Sequence, residues 1–137
     1  MIRFFDYFSA SFRFALYSLK YKMYESEDEK HNLLIKDEIK AEKAEENLVL
    51  YYARIVSITP GGDPVIEVVY KIVFDYETGI DHSKLTNEEI LDALYDNALD
   101  ELNQIAARMS LNIAQTMFSG FNQPLVLPPA VIRPDER

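Results

Sequence analysis

The sequence predicts an α+β fold, a four-stranded antiparallel sheet with C-terminal helices packed on one face. Three features carry that expectation. Between residues 11 and 76 the apolar residues recur mainly with a period of two, the spacing of a strand. The segment "TPGGDP" (59–64) parts the two clearest of these runs and is a strong turn signal. After Thr86 the apolar residues recur at three- and four-residue steps, the spacing of a helix. A run of strands followed by helix buries its apolar surface most simply as a sheet covered on one side. The 137 residues suit one domain, spanning 1–137.

Taken in order, residues 1–10 read as a short helical or irregular lead. In the first strand, from Ser11, Phe12, Phe14 and Leu16 share one parity, and Tyr17, Leu19, Tyr21 and Met23 share the other. A switch of phase at Leu16–Tyr17 implies a bulge or a change of buried face. "YESEDEKHN" (24–32) is an acidic connection. "LLIKDEIKAEKA" (33–44) contains helix-favouring Lys and Glu. It is short, however, and sets Leu33, Ile35, Ile39 and Ala41 against Lys36, Glu38, Lys40 and Glu42, so it reads as a half-exposed strand. "NLVLYYARIVSI" (47–58) is rich in β-branched and aromatic residues, as strands are.

"VIEVVYKIVFDY" (65–76) is the clearest strand. Ile66, Val68, Tyr70, Ile72, Phe74 and Tyr76 line one face, with Glu67, Lys71 and Asp75 among valines on the other. One buried and one partly wet face is the antiparallel pattern. Thr86 and Glu89 in "TNEE" form a capping-box pair, so a helix is expected to start there. The stripe from Ile90 to Phe118 fits one long helix, or two with a joint near Asp96–Asp100, within a helical region of about 86–119. Gly120 is a natural stop. Beyond it lies an apolar, proline-rich strip, 121–132, containing "PLVLPP". Pro128 and Pro129 should hold the strip extended, because proline fixes φ and removes a donor, and Leu125 and Leu127 are expected to be at least partly buried.

Charge and composition exclude several functions. The net charge of −9 argues against a nucleic-acid partner, since such proteins carry a basic footprint. With no cysteine there is no disulfide, thiolate metal site or cysteine nucleophile. No apolar run reaches the roughly 18–20 residues of a membrane helix, so no membrane insertion is expected. The aromatic first segment is broken by Arg3, Asp6 and Arg13 and does not read as a signal peptide, which leaves a cytoplasmic location as the expectation. His31 and His82 fall in loops without metal-ligand spacing, although His82 has Asp81 and Asp75 nearby. There is no G-x-S-x-G elbow, and "PGGDP" lacks the lysine and helix of a phosphate loop. Acidic blocks such as Glu42, Glu45 and Glu46 read as solvated faces. No catalytic residue, metal ligand or cofactor is assigned, and a non-enzymatic protein is expected.

What stands out is aromatic and methionine content, 8 Phe, 9 Tyr and 4 Met, which offers large and adaptable contact area. Those residues could build the core and a dimer face. Part of them could instead line a groove for flexible apolar peptide segments.

The segment "LDELNQIAARMSLNIAQTMFSGFNQPLVLPPAVI" (99–132) resembles the end of the SecB protein-export chaperone family. The matching residues are Gly120 and Phe121 at the helix stop, then Leu125, Leu127 and Pro129 in a Leu-x-Leu-x-Pro strip. The four sheet-forming segments upstream are similar to that family in their order. The resemblance implies subunits that assemble into homodimers or homotetramers. It implies an ATP-independent holdase that binds unfolded or pre-secretory polypeptides in apolar grooves, with protein export as one role the resemblance suggests. The alternative is a SecB-fold structural or adaptor protein that binds one specific partner. Candidate groove residues are Phe12, Phe14, Tyr17, Tyr21, Phe118, Phe121, Leu125 and Leu127. In better-known members an acidic sheet surface docks the export motor SecA, so SecA is a candidate partner; here Glu67, Lys71 and Asp75 give a mixed-charge face.

Overall fold

Alternation and turn chemistry resolve into four strands, and the change of period into two helices. The computed structural model describes residues 2–22, 32–59, 64–118 and 129–131. In chain order the elements are α1 (Phe4–Tyr7), β1 (Phe8–Tyr21), β2 (Asn32–Lys43), β3 (Asn47–Thr59), β4 (Pro64–Tyr76), α2 (Asn87–Asn97) and α3 (Leu99–Phe118). The strands form one sheet in the order β1-β4-β3-β2, and every neighbouring pair is antiparallel. Thus β2, β3 and β4 form a meander, and β1 lies beside β4 in a Greek-key-like arrangement. Both edges, β1 and β2, are strands of 12 residues or more, so neither edge is blunted by being short.

The helix-or-strand ambiguity of residues 33–44 is settled by pairing. β2 runs in unbroken register with β3 from Asn32↔Thr59 to Lys43↔Leu48, and this ladder outweighs helix propensity. β1 starts at Phe8, three residues earlier than the alternation suggests. A register shift between Phe8 and Phe12 hides the strand's start in the sequence pattern. A second shift falls between Leu16 and Ser18, where the phase switch predicts one. It is a bulge: Leu16 pairs with Tyr70 and Leu19 with Val68, so Leu19 and Tyr21 return to the face of Phe12 and Phe14.

The core lies between that face and the helices. Leu48, Leu50, Tyr52 and Val56 of β3, with Ile66, Val68, Tyr70, Ile72 and Phe74 of β4, are buried. They meet Ile90 and Leu94 of α2, and Leu102, Ile105, Ala106, Met109 and Ile113 of α3. Each such Val, Leu, Ile, Phe or Met side chain contributes about 1.5–3 kcal/mol by leaving water. The lead is helical at Phe4–Tyr7, and Phe4 is fully buried, edge-on to Phe74 at 4.9 Å. The Phe4 backbone N–H donates to Asn97 Oδ1 at 3.1 Å, which ties α1 to the end of α2.

Thr86 caps α2 as the sequence predicts. Its Oγ1 accepts from the Glu89 N–H at 3.1 Å, and its own N–H donates to Glu89 Oε1 at 3.2 Å. The stripe from Ile90 onward is two helices joined at Ala98, which is itself buried. Lys43 Nζ donates to the Leu85 carbonyl, tying the end of β2 to the approach to α2.

Candidate functional site

Helix α3 lies against β4 and leaves the helix-side face of β1 partly uncovered, most of all at Leu16 and Leu19. That placement divides its surroundings into two flanks. On the β1 side, Phe14, Gln104, Ala107, Arg108 and Leu111 enclose an open cleft of about 440 Å³. The four helix residues fall at steps of three and four, so they form one face of α3 running about 10 Å along its axis. That length matches about three residues of extended chain. Phe14 is half-buried and stacks with Tyr70 at 6.2 Å, and the Arg108 guanidinium sits 5.5 Å from its ring centroid. Around this cleft, aliphatic side chains stand in water: Leu16 is 50% exposed, Leu19 39% and Leu111 55%. Leu16 and Leu19 pair with Tyr70 and Val68, so both belong to the helix-side face.

The flank toward β2 and β3 is built differently. Asp37 and Arg54 are direct cross-strand partners on the core-facing side of the sheet, and both are fully buried. Arg54 Nε donates to Asp37 Oδ1 and Nη2 to Oδ2, both at 2.8 Å, a bidentate fork. Tyr52 Oη donates to the same Asp37 Oδ2 at 2.8 Å. Arg54 Nη1 donates to Ser110 Oγ of α3 at 2.5 Å. Arg54 Nη2 also donates to the Ala130 carbonyl at 2.7 Å, and the Val131 N–H donates to Asn103 Oδ1 at 2.9 Å.

Burial opposes the charge on Arg54, but the Asp37 hydrogen bonds and charge outweigh it and hold the guanidinium above its usual range. Burial, reinforced by the Asp37 charge, pushes the Tyr52 phenol far above the ordinary tyrosine value. The cluster is therefore an ion pair with a neutral phenol, and its geometry serves to hold parts together.

The candidate groove residues separate in space. Phe12, Phe14 and Tyr21 are half-buried on the helix-side face of β1. Phe12 lies 5.2 Å from Phe74. Tyr17 stands at the bulge and meets Tyr51 of the opposite face, 5.1 Å away and edge-on, so it does not join the other three. The Phe118 side chain and residues Phe121, Leu125 and Leu127 lie outside the described residues, as does His31. Of the proline strip, 129–131 is described: Pro129 and Ala130 are exposed, and Val131 is partly buried against the core.

The two carboxylates near His82 in the sequence bond other groups. Asp75 bonds Arg13 at 3.0 Å, and Asp81 bonds Ser83, whose hydroxyl and amide hold its carboxylate below the usual range. His82 stacks on Tyr76 with centroids 3.5 Å apart. No group of three or more His, Cys, Asp or Glu among the described residues could hold a metal ion. The outer face of the sheet is mixed in charge, with Arg13–Asp75 and Lys36–Glu38 pairs, each at 3.0 Å.

Sequence reasoning passed over the Asp37–Arg54 pair, although its signal is present. Asp37 has the parity of Ile35, Ile39 and Ala41, and Arg54 that of Leu50, Tyr52 and Val56. Two opposite charges at core parity on neighbouring strands indicate a buried pair.

A Greek-key-like sheet in the order β1-β4-β3-β2, with C-terminal helices on one face, defines a SecB-like α+β fold. A solved structure with this fold is the Mycobacterium tuberculosis Rv1957 SecB-like chaperone in complex with a ChAD peptide from the Rv1956 HigA1 antitoxin. The likeness has a TM-score of 0.62 at 15% sequence identity and covers 88% of this chain and 87% of that chain. No family model matches the sequence, and no curated protein does. Among the described residues no helix is long and apolar enough to cross a membrane.

Proposed function

We propose that this chain is a divergent SecB-like chaperone that binds apolar stretches of other polypeptides, without nucleotide, along the open flank of α3 beside β1. The observation that carries this reading is the exposed aliphatic surface around Phe14, contributed by Leu16, Leu19 and Leu111 and edged by Arg108. Such a surface costs solubility unless a partner uses it. The acidic net charge of −9 offsets that cost through self-repulsion. Binding an unfolded chain needs contact area and no reacting group, which fits a binding protein rather than an enzyme. A holdase acts by mass action on the unfolded state of its clients.

The fold supports a chaperone or partner-binding role at this level. Two finer readings divide it. In one, the chain is a general holdase for unfolded or pre-secretory polypeptides, working in the cytoplasm as a homodimer or homotetramer, with SecA as a further partner. In the other, it binds one specific protein partner. The similar mycobacterial chaperone was solved with a peptide from an antitoxin, which favours keeping the second reading.

Light scattering separates them. The general holdase should delay aggregation of several unrelated unfolded proteins at near-stoichiometric ratios. Leu16→Asp with Leu111→Asp should abolish that protection while thermal stability stays within about 0.5 kcal/mol, as exposed substitutions do. Failure with every client tested removes the general reading and leaves the single-partner one. Protection unaltered by the double substitution removes this flank as the site.

A further inference from the structure

The open flank accounts for one apolar surface, but the polar cluster on the other side of α3 holds something that it leaves unexplained. The Ala130 carbonyl and the Val131 N–H belong to a single peptide unit. Arg54 of β3 donates to its oxygen at 2.7 Å, and Asn103 of α3 accepts from its nitrogen at 2.9 Å. One amide is thus bridged between sheet and helix, with both of its polar groups satisfied by side chains.

The receiving groups are held in place independently of that amide. The bidentate contact with Asp37 and the Ser110 bond fix the Arg54 guanidinium. Asp37 is itself held by Tyr52. What the arrangement reads is main chain, because Pro129 and Ala130 are exposed and only Val131 is partly buried against the core.

We propose that Arg54 and Asn103 form a seat for one peptide group of a polypeptide segment bent as the chain is at Ala130, and that the chain's own 130–131 amide fills it in place of a segment from a partner protein. A segment with the same bend, in which a small or arbitrary residue is followed by an apolar one, presents the same carbonyl, the same N–H and the same half-buried side chain. Exchange therefore keeps the hydrogen bonds and is governed by effective concentration, which is on the order of millimolar for a tethered segment. Vacating the seat would take from a buried guanidinium N–H the carbonyl it meets, which favours keeping a peptide carbonyl there. The chain's own segment is an internal competitor that restrains partner binding. The seat and the β1-side cleft lie on opposite flanks of α3, so this inference stands apart from the holdase reading.

The test uses the full chain and a labelled synthetic peptide, PLVLPPAVIRP, corresponding to residues 124–134, with binding followed by fluorescence anisotropy. Val131→Pro in the protein removes the N–H that Asn103 accepts and leaves Arg54 and Asn103 themselves unaltered, while trimming the partial packing of Val131 against the core. It should raise affinity for the added peptide about fivefold, the worth of one net hydrogen bond. A peptide N-methylated at the residue equivalent to Val131 should bind the Val131→Pro protein about fivefold more weakly than the unmodified one. Adding Asn103→Ala should erase the gain from Val131→Pro.

Equal binding of the methylated and unmodified peptides would overturn the seat, as would an affinity unchanged by Val131→Pro. A change confined to self-association would overturn it in favour of exchange between copies of this chain. Leu16→Asp with Leu111→Asp serves as a control, and this peptide binding should survive it even where holdase activity is lost.

Discussion

On the β2–β3 side of α3 a buried guanidinium meets Asp37, Ser110 and the Ala130 carbonyl, whereas on the β1 side Leu16, Leu19 and Leu111 stand in solvent. One helix thus carries two kinds of boundary. The first is directional: each hydrogen bond fixes an angle, and together they set how sheet, helix and the 129–131 segment sit. The second is non-directional: apolar area is left available, and any chain of suitable hydrophobicity can cover it. A protein that must stay folded while taking up varied apolar segments benefits from this division. On the proposed function, rigidity on one flank would keep α3 in place while the other flank takes up and releases its partners.

The largest expected effect comes from breaking the directional flank. Arg54→Met leaves the Asp37 carboxylate buried without its counter-ion and should cost about 3–5 kcal/mol by urea unfolding. Joining it with Asp37→Leu should recover most of that loss, because an apolar pair of similar volume avoids the desolvation of both charges. If the single substitution costs under about 1 kcal/mol, the pair is not the lock described. Tyr52→Phe, which removes the phenol's bond to Asp37, should cost about 1.5–3 kcal/mol, the range for hydrogen bonds to charged groups.

Tyr52 also gives the pair a signature at high pH. Burial first, and then the Asp37 charge, raise its pKa in the folded chain, whereas the unfolded chain releases that proton near the ordinary value of about 10. The folded state therefore holds more protons above that pH. The stability contributed by the neutral phenol is complete below about pH 10 and falls as pH rises beyond it. Wild type should lose stability more steeply than Tyr52→Phe in that range, by up to about 1.4 kcal/mol per pH unit. Parallel pH profiles for the two proteins would show that Tyr52 ionises freely in the folded chain.

The two flanks were unequally legible in the sequence. Local rules wrote much of the framework: the capping pair Thr86–Glu89, the alternation of Ile66 to Tyr76, and the slip of phase at Leu16–Tyr17 that marks the bulge. The Asp37–Arg54 pair was written there too, as two charges at core parity. It needed the register of β2 on β3 to become a contact, and an alternation that groups only the apolar residues passes over it. The open flank was not legible. Four strands spaced about 4.8 Å apart make a sheet wider than one helix of about 10 Å diameter. Which strand stays uncovered is decided by how α3 settles on β4, a tertiary matter. The parity of Phe12 and Phe14 separates them from Tyr17 in the sequence, and Tyr17 indeed meets Tyr51 on the far face, but that parity does not tell how far α3 covers the other two.

A smaller effect probes the border between the flanks. Arg108 stands over the Phe14 ring at 5.5 Å, and Arg108→Ala should cost about 0.5–1 kcal/mol of stability, the worth of an exposed cation–aromatic contact. Loss of the arginine stem also widens access to Phe14. Affinity for an apolar client should therefore fall less than the loss of a charged contact alone predicts. An acidic client should lose more affinity than a neutral one of the same hydrophobicity, since Arg108 is the cation lining the cleft. If acidic and neutral clients are affected alike, Arg108 acts through packing only.

The smallest effect on folding is expected where the effect on binding is largest. Leu16 and Leu111 are at least half exposed, so Leu16→Ser and Leu111→Ser should each shift unfolding free energy by no more than about 0.5 kcal/mol. Neither has more than half of its side-chain area to lose from the core. The same substitutions remove aliphatic area from the surface proposed to meet clients, where each fully buried leucine contributes about 1.5–3 kcal/mol. A client dissociation constant should therefore rise roughly tenfold for each substitution, read by titration against an unfolded polypeptide at constant salt. The inverse pattern, with stability lost and binding kept, would mean that these leucines are covered within the folded protein or between its copies. The open flank would then be an assembly surface, and the contrast across α3 would be between two kinds of internal contact.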